Sequence, residues 1–180
     1  MAESIRVEGL RELARRIAQF PRKIQRRALY SALHRGGVPI RDEARRLAPV
    51  LMIPDARRRA GTLARAIRTM SRRPHGRFAA AVGVGVRRLS RAQMRKFKKG
   101  AGKSGAANPD DPFYWRFVEF GTSKMGARPF LRPAFESRKF AAAFAAREGL
   151  REALEEAVAR LGRQGFKARL NVRLEAFLGL

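Results

Sequence analysis

The chain has 180 residues, the usual length of one domain with short extensions. Lysine and arginine total 41 against 15 acidic residues, so the net charge is +26 and the surface must meet polyanions or acidic partners. Hydrophobic residues make up 45% of the chain, which excludes a disordered polycationic tail. Cysteine is absent, which excludes disulfide scaffolds, thiolate metal sites and thiol nucleophiles.

The N-terminal third is predicted to be mainly helical. Residues 3–8 alternate polar and apolar like a short strand, and a helical apolar stripe then recurs at spacings of three and four. The stripe comprises Leu10, Leu13, Ile17, Phe20, Ile24 and Ala28. Pro21 predicts a break and a helix restart, Gly36, Gly37 and Pro39 predict a second interruption, and Pro49 ends a helix over 40–48.

The middle of the chain indicates a small antiparallel sheet. Residues 49–62 are predicted to form a loop, and residues 63–73 a short helical turn followed by a strand. Residues 77–87 alternate, with Phe78, Val82 and Val86 on one face and Gly83 and Gly85 on the other. The glycine face would allow close approach by another backbone or helix.

Residues 87–103 contain many basic side chains and no acid. We interpret this segment, with the arginine run before it, as a DNA- or partner-facing surface; the alternative is a solvated charged loop. The residues assigned to it are Arg57, Arg58, Arg59, Arg87, Arg88, Arg91, Arg95, Lys96, Lys98, Lys99 and Lys103. Residues 100–112 are predicted to be a flexible linker, so that 87–111 is a basic inserted loop.

The last long helix is predicted over 129–161, with Arg151 and Glu155 able to pair on its outside. These elements predict an α+β fold, in which a small antiparallel sheet is packed by a broken N-terminal helix pair and a long C-terminal helix. We expect one domain over 1–163 and a C-terminal extension over 164–180.

No group of residues in the sequence predicts catalysis, so we expect no enzyme activity, cofactor or metal. His34 and His75 lack partners at metal-ligand spacing. Gly102, Lys103 and Ser104 resemble the end of a phosphate-binding loop, but Phe97 stands where that loop needs glycine. A Ser–His pair formed by folding is the open alternative. The charged N-terminus and the lack of a long apolar run predict assembly in the cytoplasm, without a membrane anchor.

Residues 113–135 concentrate aromatic side chains between prolines and glycines. Such a rigid aromatic segment suits an inter-subunit contact, because aromatic and arginine side chains are favoured at interface cores. Closure of the loop onto the last helix within one subunit is the equal alternative. The predicted contact residues are Tyr114, Trp115, Phe117, Glu119, Phe120, Gly121, Thr122, Lys124, Met125, Arg128 and Phe130.

The strings over 118–125 and 127–134 resemble the signature of a tail-component family of long-tailed phages and prophages. These are the neck or tail-completion proteins, similar to Z-type minor tail proteins. Ala48–Pro49, the Gly-Thr-Leu element at 61–63 and the Val-Gly strand at 82–84 occur in the order usual for that family. The resemblance spans roughly residues 5–161 and does not cover the basic insertion or the tail.

The resemblance implies a non-enzymatic virion protein at the head–tail junction, at the top of the tail. It implies a sixfold ring around the DNA channel, with packaged double-stranded DNA inside. The neighbours it implies are tail-terminator and head-closure or connector proteins. A nonspecific nucleic-acid-binding protein is the first alternative, and an enzyme with a pocket behind the aromatic segment is the second.

Overall fold

A computed structural model describes residues 12, 15, 17–50, 58–74, 80–102 and 107–163, with side chains as far as residue 159. The strand predicted at 3–8, the part of the second strand that holds Phe78, and the extension after 163 lie outside the described residues.

The described elements alternate helices with one hairpin, which confirms the predicted α+β fold. In chain order they are α1 (Arg22–Leu47), α2 (Thr62–Ala66), β1 (Ile67–Arg72), β2 (Ala81–Val86), α3 (Arg91–Ala101), α4 (Trp115–Phe120) and α5 (Leu131–Arg163). The helix restart predicted at Pro21 is confirmed, because Pro21 directly precedes α1. The helical turn and strand predicted over 63–73 correspond to α2 and β1.

Strands β1 and β2 pair antiparallel, from Ile67 opposite Val86 to Arg72 opposite Ala81. The period of two along each strand separates their side chains into two faces. The face with Thr69 and Val84 lies against α1, where a Cβ at Gly37 would come 2.6 Å from the Thr69 methyl group. The sheet therefore packs directly on the middle of α1.

Helices α1 and α5 form an antiparallel pair that is in contact from Ala32 and Gly149 to Glu43 and Arg138. A Cβ at Gly36 would lie 2.8 Å from the Ala146 Cβ, and one at Gly149 would lie 3.2 Å from the Ala32 Cα. These two contacts bring the helix backbones unusually close. The interruption predicted at Gly36–Pro39 is not observed, since α1 continues through it with Pro39 inside the helix. Tertiary packing uses the two glycines for contact with α5 and β1, and that contact outweighs their low helix propensity.

A buried carboxylate also joins the two long helices. Glu43 of α1 is 7% exposed, accepts hydrogen bonds from Arg138 of α5 at 3.0 and 3.3 Å, and pairs with Arg46 one turn further along α1. Hydrogen bonding to Arg46, and then to Arg138, lowers the pKa of Glu43. The carboxylate is therefore charged in the fold over the neutral pH range.

The main core lies between the end of α1, the α2–β1 turn and the start of α5. Leu63, Ile67 and Phe130 are its largest buried hydrophobic side chains, and each stabilises the fold by about 1.5–3 kcal/mol. Trp115 and Val118 of α4 pack against this cluster. The core therefore fixes the position of the aromatic segment that precedes α5. In the described part of the chain, no helix is long and apolar enough to span a bilayer.

Candidate assembly and DNA-contact surfaces

The segment after α4 turns sharply, and its geometry requires glycine. Gly121 ends α4 with φ +76°, and a Cβ there would lie 2.9 Å from the Ala127 nitrogen. Thr122 and Met125 then exchange backbone hydrogen bonds of 2.8 and 3.2 Å. The Arg128 N–H donates to the Val118 carbonyl at 2.8 Å, which brings the chain back to α4. The segment over 121–128 is therefore a closed turn with a fixed path.

Glu119 caps the long helix α5 from eleven residues away. Its carboxylate is 6% exposed and accepts hydrogen bonds from the backbone N–H groups of Phe130, Leu131 and Arg132 at 2.8, 3.0 and 3.1 Å. A carboxylate at this position satisfies orphan N–H groups and complements the positive end of the helix dipole. The contacts of Glu119 and of the fully buried Phe130 thus match closure within one subunit, the alternative to an inter-subunit role.

Other members of the predicted contact set face solvent. Phe117, Phe120 and Met125 are 49, 65 and 42% exposed. Thr122, Lys124 and Arg128 are also exposed, whereas Tyr114, Trp115 and Gly121 are half-buried. We call the exposed set of Phe117, Phe120 and Met125 the aromatic knob. It presents exposed apolar surface on α4 and on the turn that follows it.

The arginine run before α2 is divided between inside and outside. The Arg58 guanidinium lies 4.9 Å from the centre of the Phe113 ring and donates to the Asn108 carbonyl at 2.7 Å. Burial raises the pKa of the neighbouring Tyr114 hydroxyl, with Arg58 and Arg65 lowering it in part. Arg58 thus acts as a bridge within the subunit. Arg59 is exposed and forms an ion pair with Asp110 at 3.5 Å, and Arg57 lies outside the described residues.

The basic segment contains a helix where the sequence predicts a loop. Ser90 and Gln93 form a capping box at the start of α3, and Gly102 ends the helix with φ +64°. These caps hold the first and last turns, since Gly102 adopts the left-handed conformation that glycine favours. No residue of α3 is buried. The helix therefore projects from the body rather than packing in its core.

The exposed face of α3 is strongly basic. Arg91, Arg95 and Lys98 recur at spacings of four and three, so they share one face, and Lys99 lies beside it. Lys96 is exposed further round the helix. A row of this kind can neutralise successive phosphates. Lys103, the last residue of the predicted basic set, lies outside the described residues.

The base of this helix is tied to the body through one buried carboxylate. Arg88 donates to Asp111 Oδ2 at 3.2 Å, and Asp111 is fully buried. The other oxygen, Oδ1, has no hydrogen-bond partner. Arg88 is thereby used for anchoring, while Arg87 at the same end remains exposed.

Folding does bring one histidine next to a serine. His34 Nε2 lies 2.9 Å from the Ser71 hydroxyl, and Nδ1 lies 3.2 Å from the Thr69 hydroxyl. The group that orients the ring is thus a neutral hydroxyl rather than the carboxylate of a catalytic triad. The arrangement joins α1 to β1. No group of acids and histidines within the described ranges could hold a metal ion.

Comparison with known families identifies the class of protein to which the chain belongs. The family model described as "Bacteriophage HK97-gp10, putative tail-component" matches residues 11–121. The match covers more than half of the chain, so the protein belongs to this family of phage tail components. No curated protein and no solved structure shows a significant match. The phage resemblance seen in the sequence is thereby confirmed.

Sequence reasoning missed a second group of exposed aromatic side chains, on α5. Phe135, Phe140 and Phe144 are 49, 61 and 59% exposed. The spacing of four between Phe140 and Phe144 was the available signal, because residues four apart share a helix face. Telling an outward face from a core face required the position of α1.

Proposed function

We propose that this phage tail component is a non-enzymatic protein of the neck, where it completes the tail and enables head–tail joining. In this proposal it forms a sixfold ring around the channel through which packaged double-stranded DNA passes. The observation that carries the proposal is the basic helix α3, which projects from a body of the tail-component family. A protein lining a DNA channel needs positive charge held outside its own core.

The aromatic knob is the proposed contact with neighbouring virion proteins. Phe117 and Phe120 present apolar surface on α4, and Met125 presents it on the turn that follows Gly121. The Glu119 cap holds α4 against the start of α5. Aromatic side chains on a rigid support bind at a low cost in conformational entropy. The partners expected there are a tail-terminator protein and a head-closure or connector protein.

The net charge of +26 opposes self-association. Like-charged subunits repel, and the repulsion extends over about 10 Å at 0.1 M salt. DNA, acidic neighbours or higher salt should therefore promote ring formation. If the positive charge has no role in assembly, ring formation should not depend on DNA, acidic neighbours or salt.

Deletion of the gene in the producing strain tests the proposal. Negative-stain electron microscopy of the lysate should show filled heads and finished tails that remain unjoined. Complementation with the intact gene should restore joined particles. Normally joined particles in the deletion strain would remove the neck assignment.

The role of α3 has a separate test in the salt dependence of DNA binding. Replacing Arg95, Lys96, Lys98 and Lys99 with glutamine should reduce the slope of log K against log salt by up to about 3–4, because each phosphate contact contributes about 0.9. The matched control replaces four exposed basic residues at the start of α1, namely Arg22, Lys23, Arg26 and Arg27. Equal slopes for the wild type and the α3 variant would refute the DNA assignment.

A nonspecific nucleic-acid-binding protein is the second candidate, because the same exposed helix favours it. It predicts tight and salt-sensitive binding of DNA by the isolated monomer. The neck proposal instead predicts strong binding only when several copies act together. Titrating DNA with the protein below and above the concentration at which it assembles distinguishes the two.

A further inference from the structure

The outer side of α5 carries an apolar ridge formed by Phe140 and Phe144. Both side chains are about three-fifths exposed, although phenylalanine is normally buried. The Lys139 ammonium lies 5.5 Å from the centre of the Phe140 ring, and the Lys139 side chain is 17% exposed. At this exposure the two phenylalanines can bury about 180–300 Å² on docking, which suits the centre of an interface.

The same subunit also carries an apolar groove of about 400 Å³. It lies between α1, β2 and α5, and no charged side chain lines it. Its lining includes Leu33, Ile40, Val82, Phe135, Ala143 and Ala146. Phe135 stands at the groove and is half exposed, so the cavity is open to solvent.

The ridge and the groove lie on different sides of α5. Phe135, Ala142 and Ala146 are separated by seven and four residues and therefore share the groove face. At 100° per residue, Phe140 and Phe144 lie roughly 150° round the helix from that face. One copy therefore cannot fill its own groove with its own ridge.

We propose that the Phe140–Phe144 ridge of one copy docks in the α1–β2–α5 groove of the next copy. The inference rests on the proposed ring, and it names the partner as a second copy of this chain. Different patches on the two copies make the contact head-to-tail, and head-to-tail contacts close into rings when the rotation allows. Each copy in such a ring uses both its ridge and its groove.

Local charge favours a second copy as the occupant despite the high net charge. Lys139, next to Phe140, pairs with Glu136 at 3.2 Å. Arg138 pairs with Glu43 of α1 at 3.0 Å. Positive charge along this part of α5 is thus balanced within the subunit. Because no charged side chain lines the groove, the ridge meets no like charge there.

The absence of native cysteine allows a direct cross-linking test on the purified full chain. Ser137 lies on the ridge side, three residues before Phe140, so Ser137→Cys leaves both phenylalanines intact. It is combined with Val82→Cys on one groove wall and, in a second variant, with Leu33→Cys on the other. At high protein concentration and under oxidation, we expect a ladder of dimers, trimers and larger species that collapses on reduction.

Controls separate this contact from other occupants. Mixing the single variants Ser137→Cys and Val82→Cys should give dimers only. Adding Phe140→Asp and Phe144→Asp to the double-cysteine variant should abolish the ladder while the unfolding transition, read by the single Trp115, stays unchanged. A ladder that survives these two substitutions would overturn the proposal, as would an intrachain disulfide, a dimer alone or a monomer alone from both double variants.

The outcomes also separate this inference from the neck proposal. Unjoined particles in the deletion strain without a ladder would retain the neck role and reject the ridge–groove contact. A ladder with normally joined particles in the deletion strain would do the reverse.

Discussion

Removing the Glu119 carboxylate should destabilise the protein more than any exposed acidic substitution. One buried carboxylate satisfies three backbone N–H groups at the start of α5, at 2.8–3.1 Å. In Glu119→Ala these donors lose their acceptor beside the fully buried Phe130. Glu119→Gln keeps one acceptor oxygen and loses the charge.

The magnitude follows from two effects. Loss of a helix cap costs about 0.5–2 kcal/mol, and an unsatisfied buried donor costs about 1–3 kcal/mol. We therefore expect Glu119→Ala to lower the free energy of unfolding by about 3 kcal/mol, and Glu119→Gln by about 1.5 kcal/mol. For a chain of this size the alanine change corresponds to a fall of about 6–12 °C in Tm.

Urea unfolding followed by Trp115 fluorescence provides the assay, since Trp115 is the only tryptophan and packs against the core. Glu155→Ala is the matched control, because Glu155 lies on α5, is 56% exposed and makes a surface pair with Arg151. It should change the unfolding free energy by less than about 0.5 kcal/mol. An alanine change at Glu119 no larger than this control would refute the capping account.

Three further predictions concern the turn and the helix pair. Gly121→Ala should destabilise the fold by about 1–3 kcal/mol, because its φ is positive and the new Cβ would meet the backbone at residue 127. Gly126→Ala is the control: open space surrounds Gly126, so the change should leave thermal unfolding nearly unaltered. Glu43→Gln should be less stable than the wild type at pH values above about 4.3, the ordinary pKa of glutamate. The difference in unfolding free energy should vanish as pH falls through the lowered pKa of Glu43, and unfolding measured over an acid pH series checks this. Gly36→Ala should destabilise the fold by about 1–2 kcal/mol, because the new Cβ would lie 2.8 Å from the Ala146 Cβ. Adding Ala146→Gly to the same chain should recover part of the loss. Simple additivity of the two changes would contradict direct contact.

Local sequence patterns were sufficient for the hairpin and for several helix ends. Alternation over residues 81–86 predicted β2, and Pro21 predicted the start of α1. Both features depend on neighbouring residues only. The pairing of Arg151 with Glu155 on the surface of α5 also follows from helix spacing and is observed at 3.1 Å.

Features that depend on distant contacts could not be obtained in this way. From sequence alone, Gly36 and Gly37 predict a break in the helix. Their actual role is to allow close contact with α5 and β1. The capping role of Glu119 requires the start of α5 to fold back over α4, which its spacing of eleven residues does not indicate. Helix α3 was missed for a different reason. Ser90 and Gln93 match the pattern of a capping box, but the dense positive charge after them was interpreted as a loop.

The candidate surfaces show the same division. Charge alone predicted an exposed basic surface over residues 91–99, though not its helical form, because lysines and arginines are mostly exposed and need no partner within the fold. For Arg58 and Arg88 charge was insufficient, since each is drawn into contacts with the segment over 107–113. The ridge at Phe140 and Phe144 could not be predicted, because its exposure depends on α1 packing against the opposite face of α5.

The neck assignment is tested most directly by adding labelled protein back to a deletion lysate. Lys23 is exposed at the start of α1, so Lys23→Cys provides a single site for a gold label in a chain without native cysteine. Mixed with unjoined heads and tails, the labelled protein should restore joined particles with gold at the head–tail junction in electron micrographs. Joined particles with gold along the tail shaft, or restoration without any bound gold, would contradict a place in the neck.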